Sequence, residues 1–282
     1  LFGYNNVAEM KQSENLIDGS YARTFGYETK GDDGGATYKI REATVDDTVD
    51  NMTIIELDSG LIAELLTEPI MTTKQFGAGV NADADVLKKA ISICDTVIIS
   101  TDMVIAPQQI EINKDLTIDF NQHKITMDDN NNVSWANLIR CTGNGEVILR
   151  DGVIDGNSEG QTVAVVTNNT GVLVTSGKCS INNMKIHNCL YEGVILNGHC
   201  TVEINGTEIY DCGRNEIAVL SWDNLTIDNC VFDGTLAGGE NISNIDIEPY
   251  EAGSYLGNAN INNCIFKGSK LHGVATYLDV NQ

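Results

Sequence analysis

The chain has 282 residues, enough for one large domain with a small one beside it and for a substantial buried core. Its formal charge of −23 argues against nucleic acid as a partner, since no broad face can neutralise phosphates. The same charge makes a highly anionic glycan an awkward ligand unless Arg214, Lys185 or a metal ion offsets it locally.

Residues 1–68 read as a small α+β module, with a short amphipathic helix at Val7 to Lys11, a strand over 20–27, a tight polar turn over 31–36 and a second strand over 37–40. The Gly31 to Gly35 run lacks the Lys-Ser/Thr pair and following helix of a phosphate loop. Over 69–95 a linker leads into a helix: Val86, Leu87, Ala90, Ile91 and Cys94 recur at helical spacing, with Asn81, Asp83 and Asp85 at the positive end of its dipole. Short strands follow at 96–99, 109–112, 116–120, 124–127, 146–149 and 172–174. The Asp128 to Asn132 run lacks the spacing of a calcium loop and reads as a solvated loop, so no cofactor is expected and no motif indicates a structural Ca2+.

The later half repeats one phrase. Ile181 to Asn188 (INNMKIHN) returns as Ile204 to Asp211 (INGTEIYD), Ile227 to Gly234 (IDNCVFDG) and Ile261 to Gly268 (INNCIFKG), at intervals of 23, 23 and 34 residues. A fainter copy begins at Leu149. This period, with 27 glycines and only 3 prolines, marks a solenoid whose coils each contribute one repeat, and the crossover rule favours right-handed winding. In each copy the first, fourth and sixth residues, as in Ile227, Cys230 and Phe232, are expected inside. Asn183, Gly206, Asn229 and Asn263 are expected at the bend, in left-handed geometry. The eight cysteines fit no zinc spacing and read as free interior thiols of a protein made in a reducing cytoplasm. No apolar stretch has the length of a membrane span, so the ordinary secretory route is not expected. A chain that starts at Leu1 and stops after a strand at Gln282 is expected to be part of a longer one.

A second strand follows each phrase. Val194/Leu196, Ile217/Val219, Ile245/Ile247 and Val274/Thr276 are expected to line the core. The opposite face is expected to carry Glu192, Asn215, Ser243 and His272 in one row, Ile195, Ala218, Asp246 and Ala275 beside it, and Asn197, Leu220, Glu248 and Tyr277 beyond. On that face Asp246 and Glu248 sit two apart, one coil from Arg214 and Asn215. Two carboxylates with a cation alongside suit glycosidic bond cleavage, in which one acid protonates the leaving oxygen and the other serves as base or nucleophile. Asp246 and Glu248 are therefore the candidate catalytic pair, with Arg214, Asn215, Glu192, Trp222, His272 and Tyr277 as substrate-binding candidates and no metal ligands. Asp211, Asp223, Glu240 and Glu251 are further lining candidates, Tyr250 a further stacking one, and His123, His187 and His199 read as structural. The same charged row also fits a surface ion-pair ladder, or a glycan site that does not cut.

The N-terminal runs Val7-Ala8-Glu9-Met10, Arg23-Thr24-Phe25-Gly26-Tyr27, Gly31 to Tyr38 and Leu61 to Leu65 resemble the small attachment module of tailspike and appendage proteins from phages of Gram-positive hosts. Thr73 to Ala78 with Val80 to Cys94 resembles the segment that opens the pectate-lyase-like β-helix superfamily, although the usual tandem Asp-Thr is replaced here by Ala-Asp. There the helix plugs the first coil. The Asp246-Ile247-Glu248-Pro249 run after an Arg-Asn coil is similar to a segment of phage-associated β-helix proteins. The resemblance implies an all-β chain: an attachment module over 1–68, a linker and capping helix over 69–95, and a right-handed parallel β-helix over 96–282. It further implies a virion-tail protein that is often trimeric, binds host cell-surface polysaccharide beside other tail or baseplate proteins, and is often a depolymerase, hydrolase or lyase. The alternatives are a non-catalytic glycan-binding protein and a structural virion spacer.

Overall fold

A computed structural model describes residues 1–108, 110–129, 136–161, 169–234, 243–249 and 254–277. The chain divides into two compact units, Leu1–Met103 and Val104–Gln282.

In the first unit β1 (Phe2–Tyr4), β2 (Tyr21–Thr24), β3 (Thr37–Arg41), β4 (Ile54–Glu56) and β5 (Ile62–Leu65) form one sheet in the order β1-β2-β3-β5-β4. The β1–β2 pair is parallel and the others antiparallel. Alternation buries Ala22 and Thr24, then Tyr38 and Ile40, and Met10 of α1 (Val7–Lys11) is fully buried. Asn6 caps α1 by accepting from Glu9 N at 2.8 Å. The polar turn expected over 31–36 is organised by Asp32, whose carboxylate accepts from the backbone N–H groups of Tyr27, Glu28, Thr29 and Gly34. β6 (Ile70–Thr72) pairs in parallel with β7 (Thr96–Ile98), and between them lie a single 3-10 turn and α2 (Asp83–Ile93). The apolar positions read from the sequence, Val86, Leu87 and Ala90, are fully buried.

β8 (Met103–Ile105) falls at the division. The second unit then runs through β9 (Ile110–Ile112), β10 (Leu116–Asp119), β11 (Lys124–Met127), β12 (Asn137–Cys141), β13 (Glu146–Asp155), β14 (Thr170–His187), β15 (Glu192–Asn205) and β16 (Glu208–Tyr210). It ends with β17 (Asn215–Asp228), β18 (Val231–Asp233), β19 (Ser243–Ile247), β20 (Leu256–Asn262), β21 (Ile265–Lys267) and β22 (His272–Thr276). Strands of successive coils pair in parallel, giving a parallel β-helix. The copies of the repeated phrase lie in register: Leu149 on Ile181, Ile181 on Ile204, Ile204 on Ile227 and Ile227 on Ile261.

The bend residues have positive φ, 52° at Asn183, 60° at Gly206, 56° at Asn229 and 52° at Asn263, with Asp151 at 62° in the faint copy. Short amides tolerate this geometry and tie coil to coil: Asn183 Nδ2 donates to Asp151 Oδ1, Asn229 Nδ2 to Asn205 Oδ1 and Asn263 Nδ2 to Asp228 Oδ1. Inside, Ile227, Cys230 and Phe232 are buried as expected, and the Phe232 ring stacks on Phe266 at 5.3 Å. All eight cysteines are free thiols, seven of them buried. Two expectations fail at the last described coil. Val274 is 39% exposed and Thr276 is exposed rather than lining the core, because no described strand stacks beyond β22.

Candidate functional site

The site is built by two rows of residues that the register carries along the solenoid. One row runs Glu111, Arg140, Leu173, Ile195, Ala218, Asp246 and Ala275, each beside the next on adjacent coils. The other places Asn137 beside Thr170, Glu192 beside Asn215 and Ser243 beside His272.

Strict alternation from Val194 and Leu196 would turn Glu192 inward, since the three share one parity. The structure instead puts two consecutive side-chain positions inside at the start of each strand. Val194 is fully buried, and a Cβ added at Gly193 would lie 2.5 Å from Ile209 Cγ2 and 3.2 Å from Cys212 Sγ, both buried within the coil. One coil on, Glu216 takes the Gly193 position. It is fully buried, and its Oε2 accepts from Asn244 Nδ2 at 2.8 Å. This slip of one residue returns Glu192 and Asn215 to the side that carries Asp246 and Glu248.

Arg214 gathers them. Its Nη1 lies 3.3 Å from Glu192 Oε1 and its Nη2 3.2 Å from Glu248 Oε2, while its guanidinium stands 5.2 Å from the centre of the Tyr191 ring. Two carboxyl groups clamped by one planar fork lie within about 9 Å of each other. Glu192 is 1% exposed, and this burial pushes its carboxyl up to about 8 despite Arg214, which pulls the other way, and with Asp246 adding to the rise. Asp246 is raised as well, first by burial and then by the neighbouring Glu248 charge. The Asn215 amide faces Arg214 O at 3.0 Å and Ser243 O at 2.9 Å, two acceptors that only its NH2 satisfies. Its other atom, then the oxygen, lies 3.3 Å from Asp246 Oδ2, an arrangement that calls for a proton on Asp246. Glu192 Oε2 and Asp246 Oδ1 have no hydrogen-bond partner among the described residues. The site thus holds Glu192, whose carboxyl is raised to about 8, and Asp246, raised as well, beside a third carboxyl, Glu248, paired with a cation.

Trp222 is a correction. Its indole is 4% exposed and Nε1 donates to Asn258 O at 3.0 Å on the next coil, so it packs the solenoid and offers no face to a sugar. Trp222→Ala is expected to cost about 3–5 kcal/mol of stability, read as a fall in chemical-denaturation midpoint, and to leave glycan affinity of the folded protein unchanged. His272 and Tyr277 are exposed at the last described coil, His272 beside Ser243 on the first row, and Tyr277 donating its N–H to Ile247 O at 2.9 Å. Asp223 turns elsewhere, to His199 Nδ1 at 3.1 Å, and His187 stacks on Tyr210 at 4.9 Å. Glu240, Tyr250 and Glu251 lie outside the described residues. Tyr191 escaped the sequence reading, although it precedes Glu192 as Arg214 precedes Asn215 one coil later. No group of three or more His, Cys, Asp or Glu side chains is placed to hold a metal ion among the described residues, and no helix there is long and apolar enough to cross a membrane.

Fold and rows together define a parallel β-helix with a carboxyl-rich site on one face. The sequence matches no described protein family and no curated protein. Solved structures do resemble it. The tailspike protein gp49 of Acinetobacter baumannii bacteriophage Fri1, a capsular polysaccharide depolymerase, aligns with a TM-score of 0.73 at 15% identity, over 98% of this chain and 54% of that one. WceF of Pantoea stewartii, a glycan biofilm modifying enzyme with a tailspike-like parallel β-helix, aligns at 0.62 and 12% identity, over 94% of this chain and 40% of that one. The gp42 tailspike of Acinetobacter phage vb_AbaP_AS12 aligns at 0.50 and 12% identity, over 90% and 59%. At such identities the likeness is one of fold, and this chain spans about half the length of the structures it matches. These neighbours come from phages of Gram-negative hosts and from Pantoea, not from phages of Gram-positive hosts.

Proposed function

We propose that this chain belongs to a phage tailspike that binds host cell-surface polysaccharide and hydrolyses it. The observation that carries the reading is the Arg214 clamp, which holds a buried, acid-form Glu192 within about 9 Å of Glu248. Glu192 donates its proton to the leaving glycosidic oxygen. Glu248, paired with Arg214 at 3.2 Å, takes a proton from the water that attacks the anomeric carbon. Asp246 lies two residues before Glu248 on the same face, its pKa raised first by burial and then by the Glu248 charge, and it stands beside the Glu192/Glu248 pair. The role of acid passes from the Asp246/Glu248 pair read in the sequence to Glu192. Likeness to tailspikes supports a place in the virion tail. A Gram-positive host rests on the N-terminal resemblance alone, and a trimer on the resemblance to tailspike and appendage proteins.

Binding without cleavage draws on one observation, the 1% exposure of Glu192. Incubating the protein with capsular polysaccharides and sizing the products separates the two readings. New reducing ends that vanish in Glu192→Gln support hydrolysis. Retention of the polymer at full length across pH 5 to 9 overturns it.

A further inference from the structure

We propose that the cleft around Arg140 is a second glycan subsite that takes a negatively charged sugar residue of the same chain whose scissile bond lies over Glu192 and Glu248; the second clause rests on the hydrolytic reading above. The cleft has a volume of about 310 Å³ and is lined by Gln108, Ile110, Glu111, Asn137, Arg140 and Leu173. Every one of these belongs to β9, β12, β14 or the turn before β9.

Its position follows from the register. Arg140 occupies the row that continues through Leu173, Ile195 and Ala218 to Asp246, and Asn137 the row that continues through Thr170. At about 4.8 Å per coil, Arg140 lies roughly 10 Å before the coil of Glu192 and roughly 19 Å before that of Asp246. A sugar unit advances a chain by about one coil spacing, so an oligosaccharide of about four residues laid along the axis reaches from one to the other. Between them the row carries Leu173, half-buried, and Ile195 and Ala218, both buried, so it sets no charged group in the path. Thr170, on the neighbouring row, keeps its Oγ1 without a hydrogen-bond partner among the described residues.

Charge identifies the ligand class. Arg214 is committed to two carboxyl groups at 3.2 and 3.3 Å. Arg140, with 46% of its side chain exposed, approaches Glu111 at only 3.9 Å, and Glu111 already accepts from Thr142 Oγ1 at 3.1 Å. The guanidinium fork therefore has donors to spare on a chain whose net charge of −23 repels acidic polymers elsewhere. A carboxylate on a uronic-acid-type residue fits that fork, and Glu111 sets the distance at which a bulkier or more highly charged group is repelled.

The test uses the whole chain carrying Glu192→Gln, so that bound glycans survive, on an array of defined acidic oligosaccharides and their carboxyl-reduced, neutral counterparts. Acid-bearing glycans are expected to be retained, with Arg140→Gln weakening them about tenfold or more, Arg140→Lys restoring part of the loss, and the neutral counterparts indifferent to both. An unchanged melting curve for the exposed Arg140 variants shows that the loss is not one of folding. Retention confined to neutral glycans, retention of none, or equal affinity with and without Arg140 overturns the proposal. Cleavage by the unmodified chain is scored separately. Arg140-dependent retention without cleavage leaves this subsite standing and removes the hydrolytic reading; cleavage indifferent to Arg140 does the reverse.

Discussion

Glu192→Gln is expected to abolish glycan shortening and at the same time to stabilise the fold at pH 8. The folded carboxyl keeps its proton until about pH 8, whereas in the unfolded chain it ionises near the ordinary 4.5. Below pH 4.5 the group is protonated in both states and costs nothing. As pH rises from 4.5 to 8 the unfolded chain sheds a proton that the folded one retains, so stability falls through that window and levels off above it. The loss amounts to a few kcal/mol for a shift of this size in a side chain so nearly sealed from water. A glutamine is neutral throughout and still accepts from Arg214, so its variant escapes the loss. Chemical denaturation of both proteins at pH 5 and pH 8 reads the effect: the two curves lie close at pH 5, and the variant is the more stable at pH 8. A residue that gains stability when neutralised while activity vanishes is held for chemistry rather than for the fold.

The second large effect is expected from Glu248→Gln. Removing the base side of the pair lowers turnover by roughly 10²–10⁴-fold, the range general base catalysis supplies, while glycan retention persists because Arg214 and Tyr191 stay in place. Asp246 responds to the same change. Glu248 is one of the groups that raise its pKa, so in the variant Asp246 ionises at lower pH than before. Initial rates and retention on the same polysaccharide measure the split. A parallel loss of rate and retention would assign Glu248 to binding instead.

Much of the fold was legible because a solenoid writes its period into the chain. The Ile-Asn-Asn phrases, the αL bends at Asn183, Asn229 and Asn263 and the inward Cys230 and Phe232 all follow from local chemistry, and the structure stacks them coil on coil. The sequence reading also set Glu192, Asn215, Asp246 and Glu248 on one face, but strict alternation from Val194 and Ile217 would have turned Glu192 and Asn215 inward. Glu192 stays on that face because Gly193 and Val194 both turn inward. The only trace of that slip in the sequence is a glycine where a Cβ would strike Ile209. Burial was harder to read. Nothing in Tyr191-Glu192 or Arg214-Asn215 announces that Glu192 is sealed and Arg214 half-covered, since coverage comes from neighbours one coil away. Trp222 was misplaced for the same reason: a surface indole and one that donates to the Asn258 carbonyl of the next coil look alike in a single strand. The cleft at Arg140 was missed because its residues lie before the repeats become regular, where only the strand register links them to the later coils.

The account turns on a glutamic acid that holds its proton near neutrality on the same Arg214 fork as Glu248. Carbon-13 titration of the glutamate side-chain carboxyls in the whole chain measures this directly. One carboxyl is expected to titrate near pH 8, to disappear in Glu192→Gln, and to move to higher pH when Arg214 is replaced by glutamine. If every glutamate titrates between about pH 4 and 5, Glu192 is ionised at neutral pH and the proposed acid does not exist.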